Sequence, residues 1–234
     1  WSCINKFTVI FRTRYYMYFF QFLYKNKLIL NNKMLKNIIK NTDSLQKKML
    51  DTIIKTPLEY NKRLSNKYQA NIYLKREDLQ ITRSFKIRGA YNKISQIDLD
   101  NRQNGIVCAS AGNHAQGVTY IADKFDVPVT IFVPNKTPIQ KINRIKYFSS
   151  EATTINLVGN NFDECLYEAS LFCRHNNKTF IHPYNDIHVI HGQATIASEI
   201  YQEINPDYII GCVGGGGLMS GLCMYAKTKN PYCY

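Results

Sequence analysis

Three short stretches carry residue types able to do chemistry. The first is Gly214-Gly215-Gly216-Gly217-Leu218, directly after the apolar run DYIIGCV. Four successive residues without a Cβ leave four backbone N–H groups open to a ligand. A helix starting there adds its dipole, and the combination favours a phosphate. No Gly-Lys-Ser/Thr follows, as a P-loop needs, and the glycines are not in GxGxxG register. The second stretch is Ser110-Ala111-Gly112-Asn113-His114, after the run GIVCA. Small residues let backbone donors reach a substrate carboxylate, and Asn113 offers an amide to a ring oxygen or nitrogen. Taken alone, this stretch is equally an ordinary helix cap. The third is Ser84-Phe85-Lys86-Ile87-Arg88-Gly89-Ala90. Phe85 and Ile87 flank the Lys86 amine with apolar groups, and desolvation lowers an amine's pKa and helps imine chemistry. A surface position is the default for any one lysine, so only the combination is informative. One amine, one phosphate cradle and one loop for a carboxylate and a ring point to a phosphorylated aldehyde held as an imine, which is pyridoxal phosphate.

These stretches need elements to position them. The apolar and polar patterning predicts alternating strands and helices from Met34 onward. Strands are expected over 71–74, 105–109, 127–133, 153–158, 179–181 and 207–213. Helices are expected over 89–99, 113–125, 138–148, 161–176, 192–204 and 218–229. The helix over 161–176 has Asp163 and Glu164 in its first turn, where they complement its dipole. The β-α-β-α order argues an α/β protein with mostly parallel strands. In such sheets ligands sit beyond the carboxyl ends of strands, which is where the glycine and Ser110 loops fall.

The whole-chain numbers restrict the alternatives. At 234 residues and 45% hydrophobic, the chain is long enough for a sizeable core. Eight of the net +13 charges, from Lys6 to Lys40, precede the first acid, Asp43. That leaves +5 on the rest, too mild for a nucleic-acid surface, and no nucleic-acid motif accompanies it. No run of about 18 uncharged apolar residues occurs, so no membrane partner is expected. The seven cysteines include no CxxC and no metal spacing, so the reading is no metal, a reducing compartment and a cytoplasmic location, with organellar targeting by the basic N-terminus the lesser alternative. Residues 1–33 read as a basic, aromatic extension, translated upstream sequence before a start at Met34. The Lys-rich stretch from Lys136 to Lys146 reads as a solvated helix face, Glu77-Asp78 as a structural turn, and His182-Pro183 as a loop.

The motifs also carry a resemblance. TPL at 56–58, YLKREDLQ at 73–80, SFKIRGAYNKI at 84–94, SAGNHAQGV at 110–118, IHPYND at 181–186, GQAT at 192–195 and VGGGGLMSG at 213–221 stand in a familiar order and spacing. The chain resembles the threonine dehydratase (threonine ammonia-lyase) branch of the fold-type II pyridoxal-phosphate enzymes, from about Leu50 to Tyr225. The resemblance implies two parallel-sheet, three-layer subdomains of the tryptophan synthase β type. It divides the chain into 34–107 with 186–234, a large cofactor-binding subdomain lacking its C-terminal part, and 108–185, a small subdomain.

Residue by residue, the resemblance implies that Lys86 bonds to the cofactor and later moves protons. Gly214, Gly215, Gly216, Gly217 and Leu218 would hold its phosphate. Asn113 would meet the ring's 3′ oxygen and Phe85 would pack beside it. Ser110, Ala111, Gly112 and His114 would receive the substrate carboxylate. The implied reaction is β-elimination and deamination of L-threonine, and of L-serine, to a 2-oxoacid and ammonia, at the first step of isoleucine biosynthesis, by a homo-dimer or tetramer. Related racemases carry a second Ser where this chain has Ala111, and a methyl cannot move a proton. The alternatives are a non-catalytic remnant or a related serine/threonine dehydratase or racemase. Ser149-Ser150 stands where relatives have glycines, which would strain any turn needing φ > 0.

Overall fold

The computed structural model describes residues 7–10 and 32–234. They form two compact units, one of residues 1–80 with 190–234, the other of residues 81–189. In chain order the first unit contains β1 (Phe7–Ile10), α1 (Asn32–Met49), β2 (Leu58–Tyr60), α2 (Lys62–Tyr68), β3 (Asn71–Lys75) and a 3-10 turn over Glu77–Leu79. The second holds α3 (Lys86–Ser95), α4 (Leu99–Asn104), β4 (Ile106–Ala109), α5 (Asn113–Lys124), β5 (Val129–Val133), α6 (Ile139–Lys146), β6 (Thr153–Leu157), α7 (Phe162–His175) and β7 (Thr179–Phe180). Helix α8 (Ile187–Tyr201) carries the chain back to the first unit, which ends with β8 (Tyr208–Ile210) and α9 (Gly217–Lys229).

The second unit is built on a parallel sheet of order β6-β5-β4-β7. Every residue of β4 and β5 is buried, and α5 and α7 both contact these two strands. That is the signature of a parallel sheet covered on both faces, whose strands read as continuous apolar runs. Val107, Ala109 and Phe132 pack with Cys165, Ala169 and Cys173 of α7. Helix α7 is capped reciprocally: the Asn161 side chain accepts from the Glu164 N–H at 2.9 Å, and Glu164 accepts from the Asn160 N–H at 2.8 Å. Helix α3 lies so close to α5 that a Cβ on Gly117 would come within 3.0 Å of the Ile87 nitrogen.

The first unit's sheet has the order β2-β3-β1-β8. Strand β1 runs parallel to both neighbours, pairing Val9 with Tyr73 on one side and Ile209 on the other, while β2 is antiparallel to β3. Helix α1 docks through polar contacts. The Asp43 carboxylate accepts from the Ser198 and Tyr225 hydroxyls at 2.6 and 2.7 Å. Thr42 shares a hydrogen bond of 3.0 Å with His191. Lys75 and Glu199 form an ion pair at 2.6 Å with both side chains buried.

Several expectations shift. The helix expected over 89–99 starts at Lys86 and stops at Ser95, with α4 separate, because Asp98 caps α4 by accepting from the Asn101 N–H. The helix expected over 192–204 runs from Ile187 to Tyr201. The two units divide at 80/81 and 189/190. The reason is the close packing of α3 on α5, which keeps Lys86 with the second sheet. The expectations for residues 1–33 lie outside the described residues, except at Phe7–Ile10. Those four residues, aromatic and β-branched, form a strand inside the sheet. Ser149 and Ser150 are not among the residues with positive φ, so they carry no such strain. Glu77-Asp78 does lie in a turn, but the Glu77 side chain is buried and accepts from the Thr56 hydroxyl at 2.5 Å.

Candidate active site

In the first unit, Gly214 and Gly215 are exposed, Gly216 has φ 86° in the left-handed region, and Gly217 opens α9 with Leu218 buried behind it. A Cβ on Gly214 would meet nothing within 4 Å. The first turn of α9 has no acidic residue, and no side chain caps it. The N–H groups of a helix's first turn have no intrahelical partner. Here they sit behind an open approach, in the positive end of a 13-residue helix. This arrangement fits a phosphate. Farther along α9, Gly221 lets the helix press against α8, where a Cβ would fall 2.5 Å from the Ile190 carbonyl oxygen.

In the second unit, Lys86 is the first residue of α3 and its side chain is half-buried. Its Nζ donates to the Pro183 carbonyl at 2.5 Å and lies 5.4 Å from the centroid of the Phe85 ring. The Ser84 hydroxyl accepts from the Lys86 N–H at 3.3 Å. Burial lowers the amine's pKa from 10.5 to about 8. At neutral pH about a tenth of such an amine is unprotonated, against well under a thousandth for an ordinary lysine. That fraction is what attack on a carbonyl, or proton abstraction, requires. Each unit thus fits one part of a phosphorylated carbonyl cofactor: the glycine loop of the first a phosphate, the amine of the second a carbonyl.

The Ser110 loop belongs to the same unit as Lys86. Ser110, Ala111 and Gly112 are half-buried, Asn113 is exposed at the start of α5, and the Ser110 hydroxyl accepts from the Gly112 N–H at 3.2 Å. Gly112 is open too, with nothing within 4 Å of a built Cβ. His114 is different. Its ring is 3% exposed, and Nε2 donates to the Ile181 carbonyl at 2.8 Å. Its Nδ1 has no hydrogen-bond partner. Burial, reinforced by the charge of Lys86, lowers its pKa from 6.5 to about 3, so the imidazole is neutral. It braces the end of β7 from inside the unit.

The sequence names IHPYND at 181–186 and a loop at His182-Pro183, but gives this segment no part in the site. Pro183 supplies the carbonyl that holds Lys86, and the His182 Nδ1 accepts from the N–H groups of Tyr184 and Asn185 at 3.2 and 2.7 Å. Asp186 pairs with Lys93 of α3 at 2.8 Å and caps α8 through the N–H of His188. The available signal was the HP dipeptide between a strand and a helix, which alone says only that a loop is there.

The chain as a whole is similar to known proteins. Residues 49–233 match the family described as pyridoxal-phosphate dependent enzyme. L-threonine dehydratase biosynthetic IlvA of Staphylococcus saprophyticus is 51% identical over 181 residues, covering 75% of this chain and 43% of that protein. The protein of the same name from Lactococcus lactis is 50% identical over 184 residues, covering 76% and 44%. This chain therefore spans less than half the length of these curated relatives. Among solved structures, the processed form of threonine deaminase isoform 2 from Solanum lycopersicum superposes with a TM-score of 0.78 at 33% identity, over 84% of this chain and 57% of that one. Maize serine racemase superposes equally well at 28% identity, over 83% and 59%.

Proposed function

Because the chain belongs to the pyridoxal-phosphate-dependent enzyme family, with pyridoxal 5′-phosphate as its cofactor, we propose that it deaminates L-threonine, and L-serine, through β-elimination to the 2-oxoacid and ammonia. With threonine, the β-hydroxyl and the Cα proton leave as water. Water returned in hydrolysis releases ammonia and 2-oxobutanoate, so nothing is oxidised or reduced. The observation that carries the reading is the Lys86 amine, half-buried, aimed at one carbonyl and depressed to a pKa of about 8. The support for threonine is the pair of relatives named threonine dehydratase.

When bound, the cofactor draws electrons from the bonds at the substrate Cα, which loosens the Cα proton. The chain's residues do the rest. The N–H groups from Gly214 to Leu218 would hold the phosphate, and Asn113 would offer its amide to the ring's 3′ oxygen. Lys86 would hold the cofactor through its amine and would take the Cα proton at Nζ. Phe85 packs beside the ring. Ser110, Ala111 and Gly112 would line the place of the substrate carboxylate, with His114 behind them. Ala111 offers only a methyl to the other face of Cα, so elimination is favoured over inversion. The reading extends to a place at the start of isoleucine biosynthesis, to a homo-oligomer in the cytoplasm, and to residues 34–107 with 186–234 as the cofactor-binding subdomain. Among the described residues, no helix is long and apolar enough to cross a membrane.

The test is to load the full chain with pyridoxal phosphate and offer each amino acid in turn. The expected products are 2-oxobutanoate from L-threonine and pyruvate from L-serine, with no D-serine. Cofactor bound at Lys86 without either oxoacid overturns the reading, and D-serine as the main product would replace it with racemisation.

A further inference from the structure

The segment that holds the Lys86 amine is itself held by one side chain, and all of it lies in the second unit. The peptide group between Pro183 and Tyr184 is engaged at both ends. Its carbonyl accepts from the Lys86 Nζ at 2.5 Å, and its N–H donates to the His182 Nδ1 at 3.2 Å. No cis peptide bond occurs among the described residues, so the C=O and N–H of this rigid plane point in opposite directions. An imidazole that fixes one end therefore fixes the direction of the other. The Asn185 N–H gives the same nitrogen a second and shorter bond of 2.7 Å. Tyr184 meets the ring edge-on with centroids 4.6 Å apart, and the Phe180 ring lies 6.2 Å from it.

We propose that His182 is a positioning residue for Lys86: through the 183–184 peptide, its Nδ1 sets where the reactive amine is held. The inference rests on the reading of Lys86 as the reactive amine. Two backbone N–H donors on one nitrogen require an unprotonated Nδ1, so the proton of the neutral ring is on Nε2. A second proton on the ring has to go to Nδ1, where it expels both donors and frees the plane. The charged and titratable groups around the ring are Lys86 of α3, Asp186 of its own loop, which is paired with Lys93, and the neutral His114 of α5. Burial and Lys86 oppose protonation while Asp186 favours it, and the balance lowers the pKa. The arrangement therefore keeps the acceptor free at neutral pH.

The experiment reads the amine and does not depend on turnover. Lys86 in the full chain is labelled competitively with acetic anhydride across pH, and the modified peptide is measured by mass spectrometry. Three variants are compared with the unchanged protein. His182→Phe keeps the ring contacts without an acceptor, His182→Ala removes both, and His182→Asn places Oδ1 where Nδ1 stood. In the unchanged protein Lys86 should titrate near 8. In the Phe and Ala variants the released amine swings into water and titrates nearer an ordinary lysine, so its labelling at pH 7 falls at least about 10-fold. The Asn variant should restore the original titration. Unchanged labelling in a folded Phe or Ala variant overturns the proposal, as does failure of Asn to rescue. If neither loss variant folds, histidine-selective 15N NMR of the unchanged protein decides: a protonated Nδ1 on His182 at neutral pH overturns it, and an unprotonated one upholds it. Absence of oxoacid formation by the unchanged protein, while its Lys86 still titrates near 8, would refute the function proposed above and leave this inference standing.

Discussion

At the scale of single residues, the groups that matter are held in states that cost stability. Lys86 titrates below its unfolded value, so between about pH 8 and 10.5 the folded chain binds fewer protons than the unfolded one. Its penalty is complete below pH 8 and disappears as pH rises through that window. Lys86→Met should abolish covalent attachment of the cofactor and yet raise stability at pH 7 by about 1–3 kcal/mol, in the manner of active-site groups held for function. Urea unfolding at pH 7 and at pH 10 checks both parts: the gain must shrink at the higher pH, and a stability loss at pH 7 would contradict the argument. His114 works at the other end of the scale. Its pKa is lowered from 6.5 to about 3, so its penalty is absent above 6.5 and grows as pH falls toward 3. His114→Gln keeps a donor for the Ile181 carbonyl and cannot take up a proton. The variant should unfold at a lower pH in an acid titration followed by circular dichroism, and an unchanged midpoint would show that another group controls acid unfolding.

Elements carry these residues, and two helix pairs do so through glycine. Gly117 lets α5 reach α3 at Ile87, one residue from Lys86, and Gly221 lets α9 reach α8 behind the glycine loop. A Cβ at Gly221 would meet two backbone atoms, the Ile190 oxygen at 2.5 Å and the Ala194 nitrogen at 2.8 Å, while at Gly117 the nearest approach is 3.0 Å. Backbone cannot rotate aside as a side chain does, so Gly221→Ala should cost about 2–3 kcal/mol and Gly117→Ala about 1 kcal/mol. Thermal unfolding orders them, and the reverse order would mean that α9 shifts more easily than α3. These pairs also show what a single sequence makes legible. The glycine loop, the Ser110 loop and Lys86 could be found because glycine, small residues and a lysine between apolar neighbours have chemical meaning where they stand. The sequence puts the start of α3 at Gly89, three residues late, because a helix whose cap position is Phe85 lacks a Ser, Thr, Asp or Asn signal there. The partnerships of Asp43 with Ser198 and Tyr225, and of Lys75 with Glu199, span more than a hundred residues, and no local pattern encodes them. His182 was invisible for a subtler reason. Its effect passes through a backbone peptide, and sequence shows side chains only.

At the scale of the whole molecule, the first unit is closed by its most distant strand. Strand β1 lies in the middle of the sheet, with β3 on one side and β8 on the other, although about 60 and 200 residues of chain separate it from them. Composition made residues 1–33 look like an appendage, because charge and aromatic content say nothing about pairing at such range. Without β1 the flanking strands would be two strand spacings apart, about 9.6 Å, too far for backbone hydrogen bonds. Each N–H of a central strand serves one neighbour or the other, so any residue of β1 that loses its N–H breaks a ladder bond. Val9→Pro does this at the position paired with both Tyr73 and Ile209. The substitution should cost about 3 kcal/mol or more, and the loss should be local. In hydrogen exchange, the amides of Tyr73, Tyr208 and Ile210 should lose protection, while Ile72 and Ile209, which donate to the Ser65 hydroxyl and the Tyr234 carbonyl, should hold theirs better. Those of β4 and β5, in the other unit's sheet, should keep theirs. Undiminished protection at β3 and β8 would show that the sheet does not depend on this strand, and the segment would again be an appendage. Parallel loss of protection in β4 and β5 would show instead that the two units unfold as one.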